Sequence, residues 1–184
     1  MPPRPRRFAA RPVRRSARRS IWAEFDAVIN MTANSQWITL DLLQTYKAAT
    51  GSTIAKATVL RTHWTLAVIG GSAAGDRIWT GLRVYDLDDI SGAVTTVPQI
   101  PNPKDNPYVN WAWMSRHSID ANGNIHPGGS PGMPNTGLGI DVDLKSRRRL
   151  DNVQETWGFV LHQDTVATVA KTYHLFARTL IALA

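Results

Sequence analysis

The 184-residue chain has no cysteine. That excludes a disulfide framework, thiolate nucleophiles and thiolate metal sites, and it fits assembly in a reducing compartment. Glutamate is nearly absent: Glu24 and Glu155 are the only two. A catalytic carboxylate pair would have to come from aspartates, and their spacing suggests none. No apolar run is long and unbroken enough to span a bilayer, so no membrane partner is expected. Secretory-signal character is missing too, because no apolar core follows the N-terminal basic residues. Finally, no acidic residue occurs before Glu24, and this absence says most about the chain.

The acid-free stretch reads MPPRPRRFAARPVRRSARR and holds eight arginines and four prolines. The arginines are Arg4, Arg6, Arg7, Arg11, Arg14, Arg15, Arg18 and Arg19. The whole chain has 21 basic and 14 acidic residues, a net charge of +7. Without the eight, 13 basic face 14 acidic, so the rest is about −1. All excess positive charge therefore sits on one short segment, a pattern suited to a polyanionic partner. Prolines 2, 3, 5 and 12 oppose the amphipathic helix of a mitochondrial presequence. An extended or disordered arm over 1–19 is expected, followed by one domain over 20–184. The latter is long enough to bury roughly 70% of its unfolded surface.

From Ser20 the pattern changes to strict alternation, with Ile21, Ala23, Phe25, Ala27, Ile29 and Met31 on one side. That period of two predicts a half-buried strand starting where the arm stops. Residues 39–49 read as a short helix, with Thr39 as its cap and Gly51 past its end. Residues 57–69 (ATVLRTHWTLAVI) form a long β-branched and aromatic run, and 77–85 (RIWTGLRVY) follows it after a small turn. The two are expected to form an antiparallel hairpin. Further strands are predicted over 108–119, 140–150, 153–162 and 169–183, the last only partly alternating. Two long proline- and glycine-rich loops occupy 86–107 and 122–139. Seven or eight strands, one short helix and no strand–helix alternation predict an all-β antiparallel sandwich, with a single jelly roll fitting strand number and size best.

Several chemical motifs fail on inspection. Gly128-Gly129-Ser130-Pro131-Gly132 matches G-x-S-x-G, but Pro131 lacks the N–H that an oxyanion hole takes from that position. Asp120-Ala121-Asn122-Gly123-Asn124 begins like a calcium loop, yet Ile125 and Pro131 stand where glycine and glutamate are needed; a tight turn explains it better. The acids Asp86, Asp88 and Asp89 read as a solvated loop rather than a cation site. His63, His117, His126, His162 and His174 show no metal-ligand spacing, and no Walker loop is present. The expectation is a non-enzyme without cofactor or metal. Among seven tryptophans, Trp79, Trp111 and Trp113 have the option of stacking on nucleobases, but core and interface packing is the ordinary use of such residues. Lys145, Arg147, Arg148 and Arg149 form a second basic cluster; in a strand, Arg148 faces away from the other three. Two uses are open for it: contact with nucleic acid beside the arm, or pairing with Asp141, Asp143 and Asp151 or across a subunit interface.

Arginine stays charged, and its planar fork suits phosphate oxygens. Eight such contacts predict affinity that falls with salt at a log–log slope of roughly −6 to −7, without base reading. The layout of arm, immediate strand and all-β body resembles the coat proteins of small icosahedral viruses. Circoviruses and related single-stranded DNA viruses are examples, and the satellite RNA viruses of plants look similar. The resemblance rests on the arm, on ATVLRTHWTLAVI, on RIWTGLRVYD and on VQETWGFVLH, and it is architectural over the full chain. It implies a capsid protein that assembles with itself, in the simplest case as 60 copies, around a single-stranded DNA or RNA genome. It also implies residence in the virion, with host cytoplasm or nucleus during assembly, and an arm that doubles as a nuclear import signal. The alternative is a cellular nucleic-acid-binding protein of ribosomal or nucleoid type. Such proteins usually spread an excess of basic residues over the body, whereas here the body carries about −1.

Overall fold

The computed structural model describes residues 19–32, 36–51, 54, 56–71, 76–86, 95–96, 111–120, 122–127, 139–164 and 170–183. Among the described residues, ten strands and one short helix follow in the order β1 (Ser20–Met31), β2 (Gln36–Asp41), α1 (Gln44–Thr50), β3 (Ala57–Gly70), β4 (Asp76–Asp86), β5 (Thr95–Thr96), β6 (Trp111–Ile119), β7 (Ile125–Pro127), β8 (Gly139–Leu150), β9 (Glu155–Asp164) and β10 (Lys171–Leu183). They form two antiparallel sheets, here A and B. Sheet A has the order β1-β10-β3-β8, and sheet B the order β5-β2-β9-β4-β6-β7. Setting aside the short β5 and β7, successive strands alternate between the sheets except at β4 to β6. Four strands per sheet in this interleaved order make the body a jelly roll.

The alternation that defines β1 decides how it packs. Ala23, Phe25, Ile29 and Met31 are buried, while Trp22, Glu24, Asp26, Val28 and Asn30 are exposed. The core between the sheets centres on Trp64, whose ring meets Trp113 edge-on at 5.3 Å and Phe159 at 5.0 Å. Trp157 is fully buried, and its indole N–H donates to Thr62 Oγ1 across the sandwich at 2.9 Å. That bond satisfies a donor shielded from bulk solvent.

Two expectations are corrected. The runs 57–69 and 77–85 are not a hairpin. β3 pairs with β10 and β8 in sheet A, whereas β4 pairs with β9 and β6 in sheet B. Both runs carry a strongly apolar face, and placing them in opposite sheets lets Trp64 and Leu66 bury against the same core as Ile78 and Leu82. The helix is also shorter than expected. Thr39, Leu40 and Asp41 continue β2, paired with Val160, Phe159 and Gly158. Thr39 is therefore no cap; Asp41 Oδ1 instead accepts the Leu43 N–H at 2.8 Å just before α1. Gly51 ends the helix at φ 60°, the left-handed conformation that glycine adopts freely.

Candidate nucleic-acid interface

Arg4, Arg6, Arg7, Arg11, Arg14, Arg15 and Arg18 lie outside the described residues, as do Asp88, Asp89 and the 128–132 motif. Arg19 is described and exposed. Its carbonyl accepts the Leu183 N–H at 3.1 Å, so the chain enters β1 beside the end of β10.

Register places the second basic cluster relative to that entry point. Ser20 pairs with Ala182, Ala182 with Thr58, and Thr58 with Arg149. The root of the arm and Arg149 therefore lie level at one end of sheet A, three strand spacings or about 14 Å apart. Lys145, Arg147 and Arg149 are exposed on the outer face, and Arg148 is half-buried on the other side. A bulge sits beneath them, because Val59 pairs with Arg148 but Arg61 with Lys145. An open cleft of about 470 Å³ follows, lined by Leu60, Lys145, Ser146 and Arg147.

The acids near the cluster are largely held by β3. Arg61 Nε donates to Asp143 Oδ1 at 2.6 Å, and its second nitrogen bonds Oδ2. These bonds hold the Asp143 carboxyl below the usual carboxylate range and push Arg61 up. His63 Nε2 lies 2.6 Å from Asp141 Oδ1. Arg149 approaches Asp151 at 3.2 Å. The opposite edge is built alike: Arg178 meets Glu24 at 3.1 Å, and His174 meets Asp26 at 2.6 Å. Both edge strands of sheet A thus supply carboxylates, and both central strands supply an arginine and a histidine that meet them. Single sequence positions carry no sign of this pattern, because the partners are set by cross-strand register.

Trp79 and Trp113 are both half-buried, and Trp113 packs on the core. Arg116 lies over the Trp79 ring at 5.5 Å, a cation–π contact. The side chain of Trp111 is outside the description. The Asp120 loop is a tight turn: Asp120 accepts from the backbone N–H of Asn122 and Asn124 and from the Asn124 amide. The Asn124 bond comes first among the causes that bring its carboxyl down to about 2. His117 is buried near Thr80, its Nε2 3.1 Å from the hydroxyl, and desolvation lowers it to about 4. Among the described residues no three His, Asp or Glu side chains gather as a metal site requires. No helix there is long and apolar enough to cross a membrane.

Sequence reasoning missed a buried ion pair. Lys171 and Asp76 are both 0% exposed, with Nζ and Oδ2 2.5 Å apart. Lys171 also donates to the Gly71 carbonyl at 2.6 Å. Gly71 has φ 78°, and a Cβ there would meet the Ala170 carbonyl oxygen at 1.9 Å, so glycine is needed at this approach. The pair joins the start of β10 in sheet A to the start of β4 in sheet B. A lone lysine opening an apolar strand was its sole signal.

No family model matches the sequence, and no curated protein proves similar. Solved structures do. Desmodium yellow mottle tymovirus is 12% identical with a TM-score of 0.43, over 100% of this chain and 96% of that one. Cocksfoot mottle virus is 16% identical with a TM-score of 0.41, over 87% and 94%. A bacterial lipoprotein from Bacteroides thetaiotaomicron is 10% identical with a TM-score of 0.41, over 92% and 91%. It is the strand order, not these distant likenesses, that makes the body a jelly roll.

Proposed function

We propose that the chain is a capsid protein of a small icosahedral virus. In this reading residues 20–184 are the shell domain and residues 1–19 the nucleic-acid-binding arm. The role is structural, not catalytic. The observation that carries it is the partition of charge: eight arginines precede a jelly-roll body of about −1 net charge. The arm's root stands level with Arg149 at the end of one sheet. Arm and basic end then form one track for phosphates, with the genome a single-stranded nucleic acid. In a simple closed shell of 60 copies, eight arginines each give on the order of 480 positive charges, suited to a kilobase-scale genome.

Expression of the full chain, followed by electron microscopy and size-exclusion chromatography with absorbance ratios, tests this. Particles tens of nanometres across that carry nucleic acid are expected. Deoxyribonuclease and ribonuclease digestion of the extracted cargo identifies its type. Deleting residues 1–18 should leave shells that lack cargo. A stable monomer in low salt, with or without added nucleic acid, would overturn the shell; a monomer that binds nucleic acid would favour the cellular alternative. Unchanged cargo after the deletion would overturn the role of the arm.

A further inference from the structure

β8 is an edge strand of sheet A: among the described residues, β3 is its one partner in the sheet. A twelve-residue edge is a template for pairing with another chain. Its exposed residues are, in order, Asp141, Asp143, Lys145, Arg147 and Arg149, two acids followed by three bases. The inward side chains between them include Leu144, which packs on the core. The bulge at Ser146 and Arg147 adds twist but preserves this alternation of exposure.

Such a charge order is self-complementary under a twofold axis. We propose that β8 pairs antiparallel with β8 of a second copy, with the axis at Leu144. Asp143 then stands opposite the partner's Lys145, and Asp141 opposite the partner's Arg147. Symmetry repeats each pair, giving four opposite-charge pairs and no like-charge pair. Moving the axis one residue, to Asp143 or Lys145, sets that charge against its own copy. An axis between two residues pairs outward side chains with inward ones, which the buried face forbids. The result is a continuous sheet across two copies, β1-β10-β3-β8 and its mirror order. β1, the other edge, lacks this property, since its exposed charges are Glu24 and Asp26 alone. The pairing rests on the shell reading only in that the partner is another copy. It assigns Lys145 and Arg147 to that copy and leaves Arg149 and the arm to phosphate.

The test uses the full chain, nuclease-treated, by sedimentation velocity at low salt. Arg147→Asp reverses two pairs per dimer and is expected to weaken association about tenfold. The exchange Asp141→Arg with Arg147→Asp rebuilds them and should restore association, with thermal melts confirming that both variants fold. Equal association of Arg147→Asp and wild type, or no recovery in the exchange, overturns the pairing. A second measurement uses the absence of cysteine. In Asp143→Cys/Lys145→Cys, directly opposed positions about 4.5–5.5 Å apart at Cα lie within disulfide reach. Oxidation should give a covalent dimer, and a monomer under those conditions overturns the pairing. Particles that form equally well with Arg147→Asp sink this interface while the shell stands. A wild-type dimer that never builds particles does the reverse.

Discussion

Replacing Lys171 by methionine tests the clamp between the two sheets. The substitution keeps length and apolar bulk but removes the ammonium that lies 2.5 Å from Asp76 Oδ2, where both side chains are 0% exposed. Asp76 then stays fully buried without the Lys171 ammonium beside it. Breaking a buried pair this way costs about 3–5 kcal/mol. That is a large share of the roughly 5–15 kcal/mol typical of whole domains. For a body of this size it corresponds to a fall in Tm of about 6–20 °C. Urea unfolding followed by tryptophan fluorescence, at concentrations where the protein is dissociated, measures it. The partner experiment is the double change Lys171→Met with Asp76→Leu, which removes both charges. Because desolvation consumes most of what a buried pair gains, the double variant should return to near wild-type stability or exceed it. A cost below about 1 kcal/mol for Lys171→Met, or a double variant weaker than the single one, would show that the pair does not clamp the sheets.

Two predictions concern pH. His117 is held at about 4 by burial, below its ordinary 6.5, so the folded state refuses a proton that the unfolded chain accepts. Stability should be full above about 6.5 and fall as pH drops toward 4, by at most about 1.4 kcal/mol per pH unit. His117→Gln should flatten that limb in a pH series of melts, and an unchanged limb would refute the assignment. Asp120, lowered to about 2, contributes stability that is present above its ordinary 3.8 and lost as pH falls through 2. Asp120→Asn should lower Tm at neutral pH and remove this part of the acid limb; an unaltered Tm would show that the turn does not need the carboxylate.

The strands were legible where one face is wet and the other dry. In β1, alternation over 20–31 named the buried side chains in advance, since a period of two has a single reading when one face is buried. Positive φ at Gly51 was likewise visible as a glycine past a helix. β2 was not visible, because its residues 39–41 carry the same letters as the turn into a helix, and pairing with β9 decides for strand. The hairpin expected from β3 and β4 failed for a related reason. Short separation favours local pairing, but two apolar faces are buried more completely when the strands lie in opposite sheets.

What the sequence determined by itself was the distribution of charge and the class of fold. A segment with eight arginines and no acid is cationic whatever it folds against, and the alternating runs that follow require sheets. Which residues meet was left to the tertiary structure. The burial of Asp76 with Lys171, the capture of Asp143 by Arg61 and the level of Arg149 with the arm's root all depend on strand order and register. These arise from how two sheets close over one core, and a one-residue slip in any strand would turn each of those side chains to the other face.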